Sequence, residues 1–180
     1  MNNMFKFLIV SILSFSVLIA KDYSVDTSHS LVEFKLKHLS ISNVKGTFSK
    51  FSGYLSVDNN KLTALNGEVE IDSINTNNEN RDAHIKDPDY FDAKKFPKAT
   101  LKLTNASSGE FEITIKGITK KVKLEVEVFG VSKNQAGKEV IGLNLSGKIN
   151  RKDFDIAKGT PNAALGEEIS ISIDIEGMAK

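Results

Sequence analysis

From Leu31 to the C-terminus the chain alternates apolar and polar residues with a period of two, which commits most of it to half-buried β-strands. Val32, Phe34 and Leu36 share one face, with Glu33, Lys35 and Lys37 on the other. Leu65, Gly67, Val69 and Ile71 oppose Asn66, Glu68 and Glu70 in the same way, and Leu101 and Leu103 oppose Thr100, Lys102 and Thr104. The series continues through Phe111/Ile113/Ile115, Val122/Leu124/Val126/Val128, Ile141/Leu143/Leu145/Ile149 and Ile169/Ile171/Ile173/Ile175. Gly117 to Lys120 reads as a tight connection between two of these strands. Parity breaks once: Val44, Gly46 and Phe48 share a face, then Phe51, Gly53, Leu55 and Val57 continue on odd numbers. A β-bulge near Ser49 or Lys50 would restore one apolar face and bend the long strand.

About eight strands result. An antiparallel up-and-down barrel of that size has an interior either filled by side chains or able to hold one small ligand. A two-sheet sandwich would bury the same faces with no void. Two stretches interrupt the alternation. Residues 76–87 are polar, can start a short helix at an Asn or Thr cap, and are stopped by Pro88; Asp89 to Pro97 then carries Tyr90, Phe91 and Phe96. The second, residues 150–166, holds Arg151, Asp153, Phe154 and Ile156 before a Gly/Pro-containing loop. Both are expected to cover barrel ends, with Tyr90 to Phe96 at one mouth, since aromatic weight in a connection needs an apolar place to sit.

Residues 1–20 read as a cleavable signal peptide: Lys6, an apolar run from Phe7 to Ile19 too short to span a bilayer, then Ala20. The expectation is one exported domain over 21–180 without stable membrane insertion after cleavage. Cysteine is absent, which removes thiol chemistry and Cys-based metal sites. The formal charge is +1, and zero once Lys6 is removed, so nothing points to nucleic acid. Lys, Glu and Asp are spread through the strands, which argues against a polybasic membrane-surface patch. His29, His38 and His84 lack metal-ligand spacing, and no nucleophile elbow or phosphate loop occurs. The chain is therefore expected to have no catalytic residues, no metal and no cofactor, and not to be an enzyme.

Arg81 and Arg151 are the two arginines among 24 basic residues, so lysine is the default cation. Each has an Asp close by, Asp82 and Asp153, and each sits in a non-strand insertion. A planar fork for a carboxylate, backbone carbonyls or a ligand head group is the reason to use guanidinium there. His84 joins this polar candidate set. Candidate lumen residues are Phe34, Leu36, Phe48 and Phe51 on the early strands, and Leu101, Ile113, Leu124, Leu143 and Ile171 on the later ones. Phe91 and Phe96 are added from the first insertion.

Asp26 to Ser30, Val32-Glu33-Phe34, His38-Leu39, Val44 to Phe48 and Phe51-Ser52-Gly53 resemble the N-terminal part of the YceI-like proteins. Arg81 to Ile85, Tyr90-Phe91-Asp92, Phe96-Pro97, Lys116 to Val122 and Ile149 to Phe154 resemble its later blocks, so the match runs in order through residues 21–180. Asp155 departs from the pattern, which tends to have Gly after the Asp-Phe pair, and Ile85-Lys86 replaces a commoner Leu-Arg. The resemblance implies an all-β, extended lipocalin-like barrel in the periplasm that binds a polyisoprenoid or similar long amphiphile, an isoprenoid-quinone precursor or fatty-acid derivative among them. The competing readings are an enzyme acting on such a lipid at the barrel mouth, where Arg81, Asp82, His84, Arg151 and Asp153 would have to meet, and an envelope protein-interaction module with no internal ligand. A homodimer is compatible with either.

Overall fold

A computed structural model describes residues 20–180; the expected signal segment, apart from Ala20, lies outside them. The strand segments are β1 (Lys21–Val25), β2 (Leu31–His38), β3 (Ser42–Phe48), β4 (Phe51–Asp58), β5 (Lys61–Glu70), β6 (Ile74–Asn75), β7 (Lys98–Asn105), β8 (Glu110–Ile115), β9 (Ile118–Lys133), β10 (Glu139–Asn150) and β11 (Leu165–Ala179). All pairings are antiparallel. β1 and β2 lie end to end along one edge of β11, β3 and β4 continue one another beside them, and β5 and β6 follow. With β7 to β11 this makes a closed barrel of eight staves, the first paired to the last.

The parity break falls where the alternation placed it. β3 ends at Phe48 and β4 begins at Phe51. The extra residues are fixed by the neighbouring stave: the Ser49 N–H donates to Ser73 O at 3.2 Å, the Lys50 N–H to Ser73 Oγ at 3.0 Å, and the Glu70 N–H to Lys50 O at 2.9 Å. The β8–β9 turn is tighter than expected, since only Lys116 and Gly117 lie outside the ladder, with Ile118 already in β9. Both have positive φ, and a Cβ on Gly117 would stand 2.7 Å from the Phe96 ring, so glycine is required twice over. Asp155, found where the family tends to have Gly, adopts φ 54°, a conformation Asp tolerates better than most residues.

The two ends of the barrel differ. One carries both the β1 start and the β11 end and is packed solid: Tyr23, Leu55, Phe111, Ile141, Leu143 and Leu145 are buried together. There Tyr23 donates to Glu139 at 2.6 Å and Lys21 reaches the same carboxylate at 2.7 Å. Burial, followed by the Glu139 contact, pushes the Tyr23 hydroxyl up to about 12. At the other end gather the β2–β3 turn, the insertion between β6 and β7, the β8–β9 turn and the β10–β11 connection.

Where β11 exchanges β2 for β1, the intervening Asp26 to Ser30 loop is latched. His29 Nδ1 lies 3.0 Å from Asp26 Oδ2 and 3.8 Å from Glu176 Oε1, while the Asp26 N–H donates to Glu176 O at 2.8 Å. The hydrogen bond to Asp26, then the Glu176 charge, raises the His29 pKa; the bond from His29, then the Ser28 N–H, lowers that of Asp26. The pair's contribution is thus complete between the ordinary carboxylate and imidazole pKa values. It fades as pH falls through the lowered Asp26 pKa or rises through the raised His29 pKa. By NMR titration His29 should titrate above the ordinary imidazole value, and Asp26→Asn should bring it most of the way back; an unchanged midpoint would contradict the latch.

Candidate functional site

Above the packed end the barrel encloses a cavity of about 390 Å³. Leu65, Leu124, Leu145 and Ile175 belong both to the packed cluster and to its floor. Higher up the walls are Phe34 and Leu36 of β2, Phe48 and Phe51 of β3 and β4, Leu101 of β7, Ile113 of β8 and Ile171 of β11, all inward residues of their alternating strands. Phe34 pairs across the ladder with Gly46, and its ring occupies the space a Cβ there would need: Cζ would be 2.3 Å away. The Phe34 and Phe48 ring centroids lie 5.8 Å apart, and Phe91 meets Phe48 edge-on at 6.4 Å, building one aromatic tier.

Two expected lumen residues lie elsewhere. Leu143 faces inward but belongs to the packed end, because alternation fixes the face of a strand and not the height at which the interior is filled. Phe96 packs on Gly117 at the β8–β9 turn with Lys95 Nζ 5.1 Å from its ring centroid, so of the three aromatics in the insertion only Tyr90 and Phe91 reach the cavity.

The mouth is organised by the two insertions. Asn78 caps α1 (Glu79–Ile85), its side chain accepting from the Arg81 N–H. Neighbouring residues on a helix diverge, yet Arg81 and Asp82 both return to the buried Thr76. Arg81 donates from Nε to Thr76 Oγ1 at 2.7 Å and from Nη2 to Thr76 O at 2.6 Å, while Asp82 accepts from the Thr76 N–H at 2.9 Å and from its hydroxyl. His84 rests on Tyr90 with ring centroids 4.7 Å apart and bonds Asp87 at 3.0 Å; Arg81, His84 and Tyr90 all line the cavity.

Arg151 is fully buried, at 0% exposure, and it is satisfied without a carboxylate. Its five N–H groups meet five backbone carbonyls: Nε donates to Gly166 (3.1 Å), Nη1 to Ile156 (3.0 Å) and Ala157, and Nη2 to Thr160 (2.7 Å) and Leu165 (3.0 Å). Desolvation lowers its pKa, with Tyr90 and Glu167 opposing. Asp153 is not its partner and stands exposed. The cause is local: residues 151–154 form a 3-10 turn, in which i and i+3 eclipse while i+2 points away, so Arg151 and Phe154 go in together and Asp153 goes out. Arg81, His84 and Arg151 line the same cavity, but none of Arg81, Asp82, His84, Arg151 and Asp153 hydrogen-bonds another among the described residues, and Asp153 points away into solvent.

A lysine at 151 offers three donors, leaving at least two carbonyls unmet at about 1–3 kcal/mol each. Arg151→Lys should therefore lose about 2 kcal/mol or more in urea denaturation, against the roughly 0.5 kcal/mol of an ordinary surface change. A loss within that smaller range would show the fork to be dispensable.

Comparison with known proteins agrees with this architecture. The YceI-like domain family matches residues 23–177. A UPF0312 protein of Staphylococcus aureus (strain MSSA476) is 37% identical over 164 residues, covering 86% of this chain and 96% of that protein. The crystal structure of a Campylobacter jejuni YCEI protein is 37% identical with a TM-score of 0.73, covering 80% of this chain and 90% of that one. A polyisoprenoid binding domain from Saccharophagus degradans, implicated in plant cell wall breakdown, shares the fold at a TM-score of 0.70 and 14% identity, over 88% of this chain and 98% of that one. On the family match and the identity to these relatives, the chain belongs to the YceI-like family.

Proposed function

We propose that this protein is an exported, periplasmic carrier that holds one long apolar chain in the barrel, with the chain's polar head at the mouth beside Arg81 and His84, and that it performs no chemistry on it. The observation that carries this reading is the cavity: about 390 Å³, at the lower end of the roughly 300–1,000 Å³ usual for small-molecule pockets, with walls that are almost entirely aliphatic and aromatic.

Its shape supports a chain over a compact ring system. β11 supplies wall residues from Leu165 to Ile175, roughly 30 Å of strand at about 3.3 Å per residue, so the volume is drawn out lengthwise. An acyl or isoprenoid chain suits a long narrow slot. The two arginines divide the remaining work. Arg151 has all five donors committed to the fold, whereas Arg81 commits Nε and Nη2 to Thr76 and faces the mouth, so Arg81 is the head-group contact. The Saccharophagus degradans domain is described as binding polyisoprenoid; its likeness to this chain carries the fold, and the ligand class here rests on the cavity.

Organic extraction of the purified protein followed by mass spectrometry should return a lipid with a long uninterrupted apolar chain. Ile171 faces Phe34 across the ladder in the cavity wall, so Ile171→Trp should block the slot partway and reduce the load of that lipid. A packed core loses about 1–3 kcal/mol on such overfilling, while a hollow one keeps wild-type stability to within about 1 kcal/mol. Empty extracts from the wild type, or an equal load in the variant, would contradict the proposal.

A further inference from the structure

The β2–β3 hairpin combines a strained, exposed apolar turn with a stem that carries lysines and no carboxylate after Glu33. Its turn places Leu39 at φ 50° and Ser40 at φ 59°, with the Ile41 N–H closing back on His38 O at 3.2 Å, the geometry of a type I′ turn. Such turns favour Asn and Gly, and the comparable turns here carry at least one: Asn59-Asn60 makes the β4–β5 turn with φ 47° and 60°, and Lys116-Gly117 the β8–β9 turn. Among the described residues, Leu39 is the one leucine held in the left-handed conformation. Leu39 is 53% exposed and Ile41 85%, so the strain is not repaid by burial within the protein.

Charge is the second feature. No Asp or Glu occurs between Glu33 and Asp58, while Lys35, Lys37, Lys45 and Lys50 do; residues 93–109 and 113–124 likewise carry lysines without an acid. Lys50 is paired with Glu70 at 3.5 Å, but among the described residues Lys35, Lys37 and Lys45 make no ion pair. Lys35 and Lys45 stand directly opposite one another in the ladder, a destabilising arrangement of like charges, and on its other side Lys35 faces Ser170. Lysines and carboxylates spread through the other strands conceal this one-sided stretch.

The location gives both features a use. His38 and Val44, in the hairpin stem, line the cavity, and the Leu39 N–H is tied to Ala164 O at 2.9 Å on the loop that Arg151 organises. We propose that the β2–β3 hairpin is a docking element for an anionic lipid surface, its Leu39/Ile41 tip entering the interface while Lys35, Lys37 and Lys45 meet the phosphates, so that the cavity mouth faces the membrane. An exposed apolar tip on a stem bearing lysines that make no ion pair among the described residues matches that partner in both chemistry and sign. The attachment is peripheral and reversible, and it does not depend on which lipid fills the cavity.

Because the chain has no cysteine, Ile41→Cys carries a single environment-sensitive fluorophore, and Ala136→Cys, in the β9–β10 turn at the packed end, is the control. With vesicles of phosphatidylglycerol and phosphatidylcholine the label at 41 should shift to the blue and the label at 136 should not. The shift should shrink about fivefold in affinity for each of Lys35→Glu and Lys37→Glu, and fade in high salt. Leu39→Asn is a fold control, since it relieves turn strain: vesicle affinity should fall about tenfold while thermal stability holds or rises. The proposal is overturned if the label at 41 stays in an aqueous environment, if vesicles of phosphatidylcholine alone serve equally well, or if the shift appears without vesicles as protein concentration rises, which would mean a second copy covers the tip. Extraction tests the cargo and this label tests the docking, so the failure of either is separable from that of the other.

Discussion

The pairing of β11 with β1 and β2 is the constraint on which everything else rests. It joins the last stave to the first, leaves no sheet edge open along the closed ring, and fixes which side of every strand faces in. One fifteen-residue strand does this with two partners. The price is a loop, Asp26 to Ser30, that must be held against the barrel wall, and the His29 latch with the Ser30–Glu176 bonds holds it. Inside the ring so formed, large side chains interlock at the closed end and stop short of the other, where loops provide the rim.

That rim is kept in shape by a charge buried without a counter-ion. A guanidinium in a dry site is costly unless every donor is met, and Arg151 meets the requirement with carbonyls drawn from both ends of the β10–β11 connection. Of these carbonyls Ala157 O also accepts from the Thr160 N–H at 2.9 Å, so the guanidinium and the local turn hold the same segment. The connection that bears the mouth is thereby fixed by backbone bonds to a single side chain.

Much of this was legible in the alternation: the strands after Leu31, the near count of eight, the parity break at Ser49-Lys50, and the helix capped near Asn78 and ended before Pro88. The first stave was only half visible, because β1 is five residues long and follows the apolar N-terminal run directly. Depth along the barrel was not visible at all, which is why Leu143 and Phe96 were expected in the lumen. The value of guanidinium at 151 could be suspected from lysine usage, but its partners could not, since carbonyls carry no signature in sequence and the acidic neighbour at 153 suggested a carboxylate. Local charge asymmetry around the β2–β3 hairpin was present in the letters and obscured by the lysines and carboxylates spread through the other strands.

The central claim is that the upper barrel is hollow for the sake of a chain-like occupant. Experimental electron density for the protein isolated from its own host tests it most directly. The account predicts continuous tubular density running from beside Arg81, past Phe34, Leu101 and Ile171, to end above Leu124. Side chains closing on that space, or isolated water peaks in place of a continuous tube, would contradict it.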